Sequence, residues 1–127
     1  LSHHPMTIGA CLRNKGDSGG NIREGGEFAI CVVDEQLRDS ALQCGRCSGR
    51  STDKASELGI ELADAKAISP KVVAASKVVF ECKLSDMHEV GDHTFFAADV
   101  VAVYGDDSKK QLFAYDGYGR LGTAVEG

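Results

Sequence analysis

The chain has 127 residues, 43% of them apolar and 26% charged, with a formal net charge of -5. At roughly 150 residues per domain this is one domain, 1–127, long enough to bury a core. The acidic balance (pI near 5.3) argues against nucleic acid as the main partner, since phosphate neutralisation needs a basic face. It leaves room for a small anionic cofactor in one basic or amide-lined pocket. No apolar run approaches the ~18 residues of a membrane helix, and patterned apolar blocks exclude disorder. Leu1 is followed by no leader pattern, so the expectation is a chain whose natural start lies upstream, not a signal peptide. Five cysteines, Cys11, Cys31, Cys44, Cys47 and Cys82, are too few and too odd in number for a secreted disulfide scaffold. They read as a reducing, cytoplasmic setting, with Cys31 and Cys82 as small buried hydrophobes.

In chain order, Met6–Leu12 reads as a short strand opened by Pro5. Lys15–Gly20 is a Gly-, Asp- and Ser-rich loop in which Ser18 caps a helix through Arg23, stopped by Gly25-Gly26. Phe28–Val33 is a continuous apolar run of strand length. Asp34 N-caps a helix through about Gln43, ended by Gly45. A further helix spans Ser51–Leu58, with Gly59 at its left-handed end.

The second half alternates. Val78, Phe80, Cys82 and Leu84 interleave with Val79, Glu81, Lys83 and Ser85, the pattern of a half-buried strand. Val90-Gly91-Asp92 turns the chain into the β-branched and aromatic run Thr94–Tyr104. Gly105–Ser108 turns it again into a strand over Gln111–Tyr115. Strands bracketing helices predict a mainly β, antiparallel closed sheet with helical insertions.

Four groups of residues carry chemistry. Lys15-Gly-Asp-Ser18-Gly-Gly-Asn21 offers a cation, a hydroxyl and open amides at a helix N-terminus, which is what a phosphate needs; an ordinary capped turn is the competing reading. Ser48-Gly-Arg50-Ser-Thr-Asp53-Lys54 offers a second anion contact or a solvated helix entry. Cys44-Gly-Arg-Cys47 has redox or half-zinc spacing. No second ligand pair matches it, and it sits at a helix end, where the dipole disfavours a thiolate. His93 opens the longest strand, where it points into a cleft or is satisfied by the turn and Asp92. No nucleophile elbow or dinucleotide fingerprint is present, so neither a catalytic side chain nor a metal site is assigned.

Taken together these blocks resemble the flavin reductase-like, FMN-binding split-barrel family of flavoredoxin type. Ser2-His-His-Pro5-Met6 is similar to its Ser-x-Asp-Pro-Pro segment. Lys15 to Phe28 is similar to its Asp-Thr-x-x-Asn-Ile-Arg-x-x-Gly-Glu-Phe segment. Cys47 to Lys54 is similar to Ser-Gly-Arg-x-x-Asp-Lys-Phe. Glu81-Cys-Lys83 with Gly91-Asp-His93 matches its Glu-Cys-Lys and Gly-Asp-His segments, and Tyr115 to Gly122 its usual ending. The match runs in order over nearly the whole chain. It departs at Ser18 (usually Thr), His4 (Asp), Cys31 (Asn) and Ala55 (Phe).

The resemblance implies a split β-barrel, here apparently lacking the family's first strands, in a homodimer with FMN near the subunit interface. It places Ser18 at the phosphate or ribityl chain, Lys54 on FMN, His93 facing the flavin and Tyr118 near the ring, with Lys15 and Arg50 as further contacts. It implies hydride transfer from NAD(P)H, a transient donor, through FMN to free flavin, another small-molecule acceptor or a partner oxidoreductase. The protein's own task is binding, orientation and redox tuning. The alternatives are a non-enzymatic flavin-binding electron carrier and a Cys44/Cys47 redox or metal protein without flavin.

Overall fold

A computed structural model describes residues 1–44, 58–114 and 121–123. Strand β1 is Thr7–Arg13, helix α1 Asp17–Gly25 and strand β2 Glu27–Val32. A 3-10 turn, Glu35–Leu37, leads into helix α2, Arg38–Cys44. Short strands β3, Leu62–Ala63, and β4, Val72–Val73, precede the long pair β5, Val78–Val90, and β6, His93–Gly105. Strands β7, Leu112–Ala114, and β8, Leu121–Thr123, end the order. None of the helices among the described residues is long and apolar enough to cross a membrane.

The chain forms two compact units. The first holds Leu1–Ile30, Asp64–Lys71 and Phe80–Val103; the second holds Cys31–Ala63, Val72–Val79 and Tyr104–Gly127. One sheet has the order β1-β6-β5-β2, and β3 with β4 and β7 with β8 form two-stranded sheets.

In the first unit β1 lies antiparallel to β6, with Ile8 opposite Ala98, Ala10 opposite Phe96 and Leu12 opposite Thr94. Because side chains alternate along a strand, those six share one face. Phe96, Ala98 and Cys82 on that face are fully buried and cluster with Ile22 of α1 and Phe28 of β2. The opposite face of β6 carries His93, Phe95 and Ala97. The turn joining β5 to β6 has a positive φ at Gly91 (60°) and at no non-glycine residue, the pattern of a two-residue II′ hairpin.

Most expected elements are present, with two corrections. Ser18 does not cap α1: the N-cap is Gly16, and Ser18 lies inside the first turn. Gly19 and Ile22, three apart on one helical face, are both buried, so the helix is already running at Gly19. Gly26 ends it in the left-handed conformation at φ 68°, donating its N–H to Ile22 O at 2.8 Å. The second correction is β5, which is not half-buried along its first half. Val79 and Glu81 are buried as well as Cys82, because the segment 64–71 covers the Glu81 side.

In the second unit Asp34 caps as expected, its Oδ1 accepting from Gln36 N at 3.1 Å, but it caps the 3-10 turn that precedes α2. Gly59 has the expected positive φ of 67°. Gly105 meets the Lys77 carbonyl so closely that no Cβ fits there.

Candidate functional site

Helix α1 builds one wall of a cavity of about 790 Å3 in the first unit. Ser18, Asn21, Ile22 and Gly25 face it from the helix, Ala10 and Leu12 from β1, and Glu27 to Ile30 from β2; Ser69 and Pro70 close it. At ~1.5 Å per residue, Ser18 and Gly25 lie about 10 Å apart, so the cavity is elongated along the helix. Its ends differ electrically. Ser18 stands where unpaired backbone N–H groups and the positive end of the dipole attract an anion. Gly25 and the carboxylate of Glu27 mark the negative end. Between them the walls are mostly apolar: Leu12, Ile22, Phe28, Ala29, Ile30 and Pro70.

Two carboxylates fix the closing segment. Glu81 is fully buried; its oxygens accept from Lys66 N at 2.8 and 3.1 Å and from Ala67 N at 2.6 Å. Glu27 Oε1 accepts from Ser69 N at 3.0 Å, and its Oε2 lies 3.9 Å from Lys83 Nζ. Charge-assisted bonds of this kind are the strong ones. They explain the Gly-Glu-Phe and Glu-Cys-Lys stretches: each glutamate holds backbone amides of the cavity wall. Cys82, between them in sequence, points the other way into the core, and burial pushes its thiol up to about 11.

Helix α1 is held by a polar cluster on its far side. Arg23 Nη2 donates to Thr94 Oγ1 at 2.5 Å and to Asn14 Oδ1 at 3.4 Å. The Thr94 hydroxyl donates to Asn14 Oδ1 at 2.6 Å. Asn14 in turn donates from its backbone to Asp92 O at 2.9 Å and from Nδ2 to Gly91 O at 3.3 Å. The guanidinium lies 5.8 Å from the Phe96 ring centroid, within cation–π range.

Three of the residues singled out from the sequence are described, and they gather at one end of the sheet. Ser18 faces the cavity, exposed, in the first turn of α1. Lys15 is exposed in the connection just before it. His93 pairs across the sheet with Arg13, at the end of β1. It lies on the face of β6 opposite Thr94 and Phe96, so it does not share the cavity with Ser18. Its Nδ1 is 2.7 Å from Asp92 Oδ1, and that hydrogen bond, then the imidazole charge, holds the Asp92 carboxyl below the usual range. Lys54, Arg50 and Tyr118 lie outside the described residues, as does Cys47. Cys44 is the last residue of α2, as expected. Among the described residues no group of three His, Cys, Asp or Glu side chains could hold a metal.

Asn14, Asn21, Glu27, Ser69 and Pro70 were not singled out individually. Asn21 and Glu27 stand inside the motif that runs to Phe28, so a signal for them existed. Asn14, Ser69 and Pro70 carried none, because their contacts come from residues distant in sequence.

The comparisons agree with this geometry. A family described as "Flavin reductase like domain" matches residues 1–122. An uncharacterized protein of Archaeoglobus fulgidus is 26% identical over 110 residues, covering 87% of this chain and 62% of its own length. A ferric-chelate reductase (NAD(P)H) of the same organism is 28% identical over 102 residues, covering 80% of this chain and 59% of its own. The chain thus spans about three fifths of the length of these relatives. The crystal structure of an FMN-binding protein from Thermus thermophilus, with bound p-hydroxybenzaldehyde, superposes with a TM-score of 0.89 at 23% identity, over 100% of this chain and 74% of that one. That likeness establishes the fold as a mainly antiparallel split barrel with helical insertions. With its motifs in order and the family match covering all but the last few residues, the chain belongs to the flavin reductase-like family.

Proposed function

We propose that this chain is the FMN-binding part of an NAD(P)H-dependent flavin oxidoreductase. The observation that carries the reading is the polarised cavity along α1. An elongated ligand with an anionic end and a planar, largely apolar end suits it, and FMN has that form. The cavity volume falls within the ~300–1,000 Å3 typical of small-molecule sites. When bound, FMN supplies the redox chemistry, taking electrons from NAD(P)H and releasing them to free flavin or another acceptor.

The chain's own residues bind and orient. Ser18 holds the phosphate end with the first-turn amides of α1, and Lys15 adds a cation beside it. Lys54 and Arg50 add further positive charge, and Tyr118 packs near the ring, on the strength of the motifs that contain them. Leu12, Ile22 and Phe28 exclude water from the apolar end. His93 points away from the cavity of its own chain, and we assign its flavin contact to a homodimer, in which it meets the cofactor across the subunit contact. Support for NAD(P)H comes from the name of the Archaeoglobus reductase.

The test is the visible spectrum of the purified protein, chromatography of flavin released on denaturation, and NAD(P)H oxidation with and without added FMN. Released FMN with turnover stimulated by flavin is the expected result. Protein that stays colourless with excess FMN overturns the reading. Bound FMN without NAD(P)H oxidation, but reducible by a partner protein, would replace it with an electron carrier.

A further inference from the structure

The Arg23, Thr94 and Asn14 cluster touches no residue of the cavity lining through hydrogen bonds, yet it is one of the most tightly connected polar groups in the first unit. Thr94 is 2% exposed. Its single hydroxyl accepts from Arg23 and donates to Asn14, so both of its roles are used inside the protein. Asn14 is itself bonded to the β5–β6 turn through Gly91 and Asp92. Arg23 therefore ties α1 to two separate strand ends at once, while its guanidinium lies over Phe96.

The consequence is orientational. Ile22 enters the core, and a single apolar anchor leaves a nine-residue helix free to roll about its axis. Arg23 lies one residue further, about 100° around the helix. A second fixed point there stops the roll and sets the direction of Ser18 and Asn21. Lysine cannot substitute, because a point charge on a flexible stem lacks the planar fork that reaches both oxygens.

We propose that Arg23 and Thr94 are positioning residues for the anion end of the cavity: they set the roll of α1, and so determine how well the chain distinguishes a phosphorylated flavin from an unphosphorylated one. This rests on the flavin-binding reading above.

The test compares affinities for FMN and for riboflavin, which lacks the phosphate, in wild type, Arg23→Lys, Thr94→Val and Thr94→Ser. FMN affinity is expected to fall about tenfold, ~1.4 kcal/mol, in Arg23→Lys and Thr94→Val, with riboflavin affinity unchanged and Thr94→Ser behaving as wild type. An equal fall for both flavins, no fall for either, or no rescue by serine would overturn the proposal, since a merely structural role predicts one of these. Hydrogen exchange of the Asn21–Gly25 amides in flavin-free protein gives an independent readout. Faster exchange in Arg23→Lys and Thr94→Val is expected there, and unchanged exchange refutes the positioning role. If wild-type protein binds neither flavin, the functional reading fails while the exchange result still decides the positioning.

Discussion

Helix α1 and the segment 64–71 line the same cavity and are fixed by different physics. The helix carries its own backbone hydrogen bonds and needs only docking, through Ile22 in the core and Arg23 on Thr94. The segment contributes no strand or helix over most of its length, so its amides must find partners elsewhere, and Glu81 and Glu27 provide them. A buried carboxylate persists because it satisfies backbone donors that would otherwise be stranded. The helix wall is thus coupled to the hydrophobic core, and the segment wall to two side chains that can be changed without emptying that core.

The comparison breaks most visibly at Ile22. Ile22→Ala removes a core side chain and is expected to cost about 3 kcal/mol of global stability, read as a lower denaturation midpoint with unchanged slope. Glu81→Gln keeps the shape but removes the charge and one acceptor, costing about 2 kcal/mol. Hydrogen exchange should show this loss first at the Lys66 and Ala67 amides, while the α1 amides keep their protection. Equal acceleration in both walls would show that they are one cooperative unit. Glu27→Gln, at a more exposed carboxylate, should cost about 1 kcal/mol and loosen the Ser69 amide alone.

The same contrast explains how much the sequence could reveal. Helix α1 was legible because its information is local: a glycine-rich start, Ile22 on the core face and Gly26 at the end. Its start was misplaced because Ser18 has the better capping side chain, whereas the packing of Gly19 and Ile22 decides where the helix begins. The β5–β6 pair was legible from alternation and from Gly91. The segment 64–71 was not, since no periodicity in it announces that two glutamates hold its amides. For the same reason Glu81 looked like the solvent side of β5, when its partners lie about 15 residues back along the chain. The site was legible as motifs and not as geometry. Gly-Asp-His marked His93, but only the strand register shows that it faces away from Ser18.

Cys82 sharpens the distinction with the smallest effect at neutral pH. Neighbouring residues on β5 face the two supports: Glu81 points to the segment wall, Cys82 to the core beside Ile22. Burial raises the folded-state thiol from its ordinary value of 9.0 to about 11. The unfolded chain therefore loses this proton first as pH rises, so the stabilisation is complete below pH 9.0 and declines between there and about 11. Other groups titrate in that range, so the informative quantity is the difference between wild type and Cys82→Ala, in which this part of the slope should vanish. A thiol-labelling experiment at pH 8 uses the same side chain as a reporter. Cys11 is exposed and should react in the native protein, while Cys82 should react only on opening of the core. Ile22→Ala should accelerate Cys82 labelling; Glu81→Gln, which acts on the other side of the strand, should leave it slow. If Glu81→Gln exposes Cys82 as readily as Ile22→Ala does, the two walls are not independently supported, because the carboxylate is then holding β5 itself and not the segment that covers it.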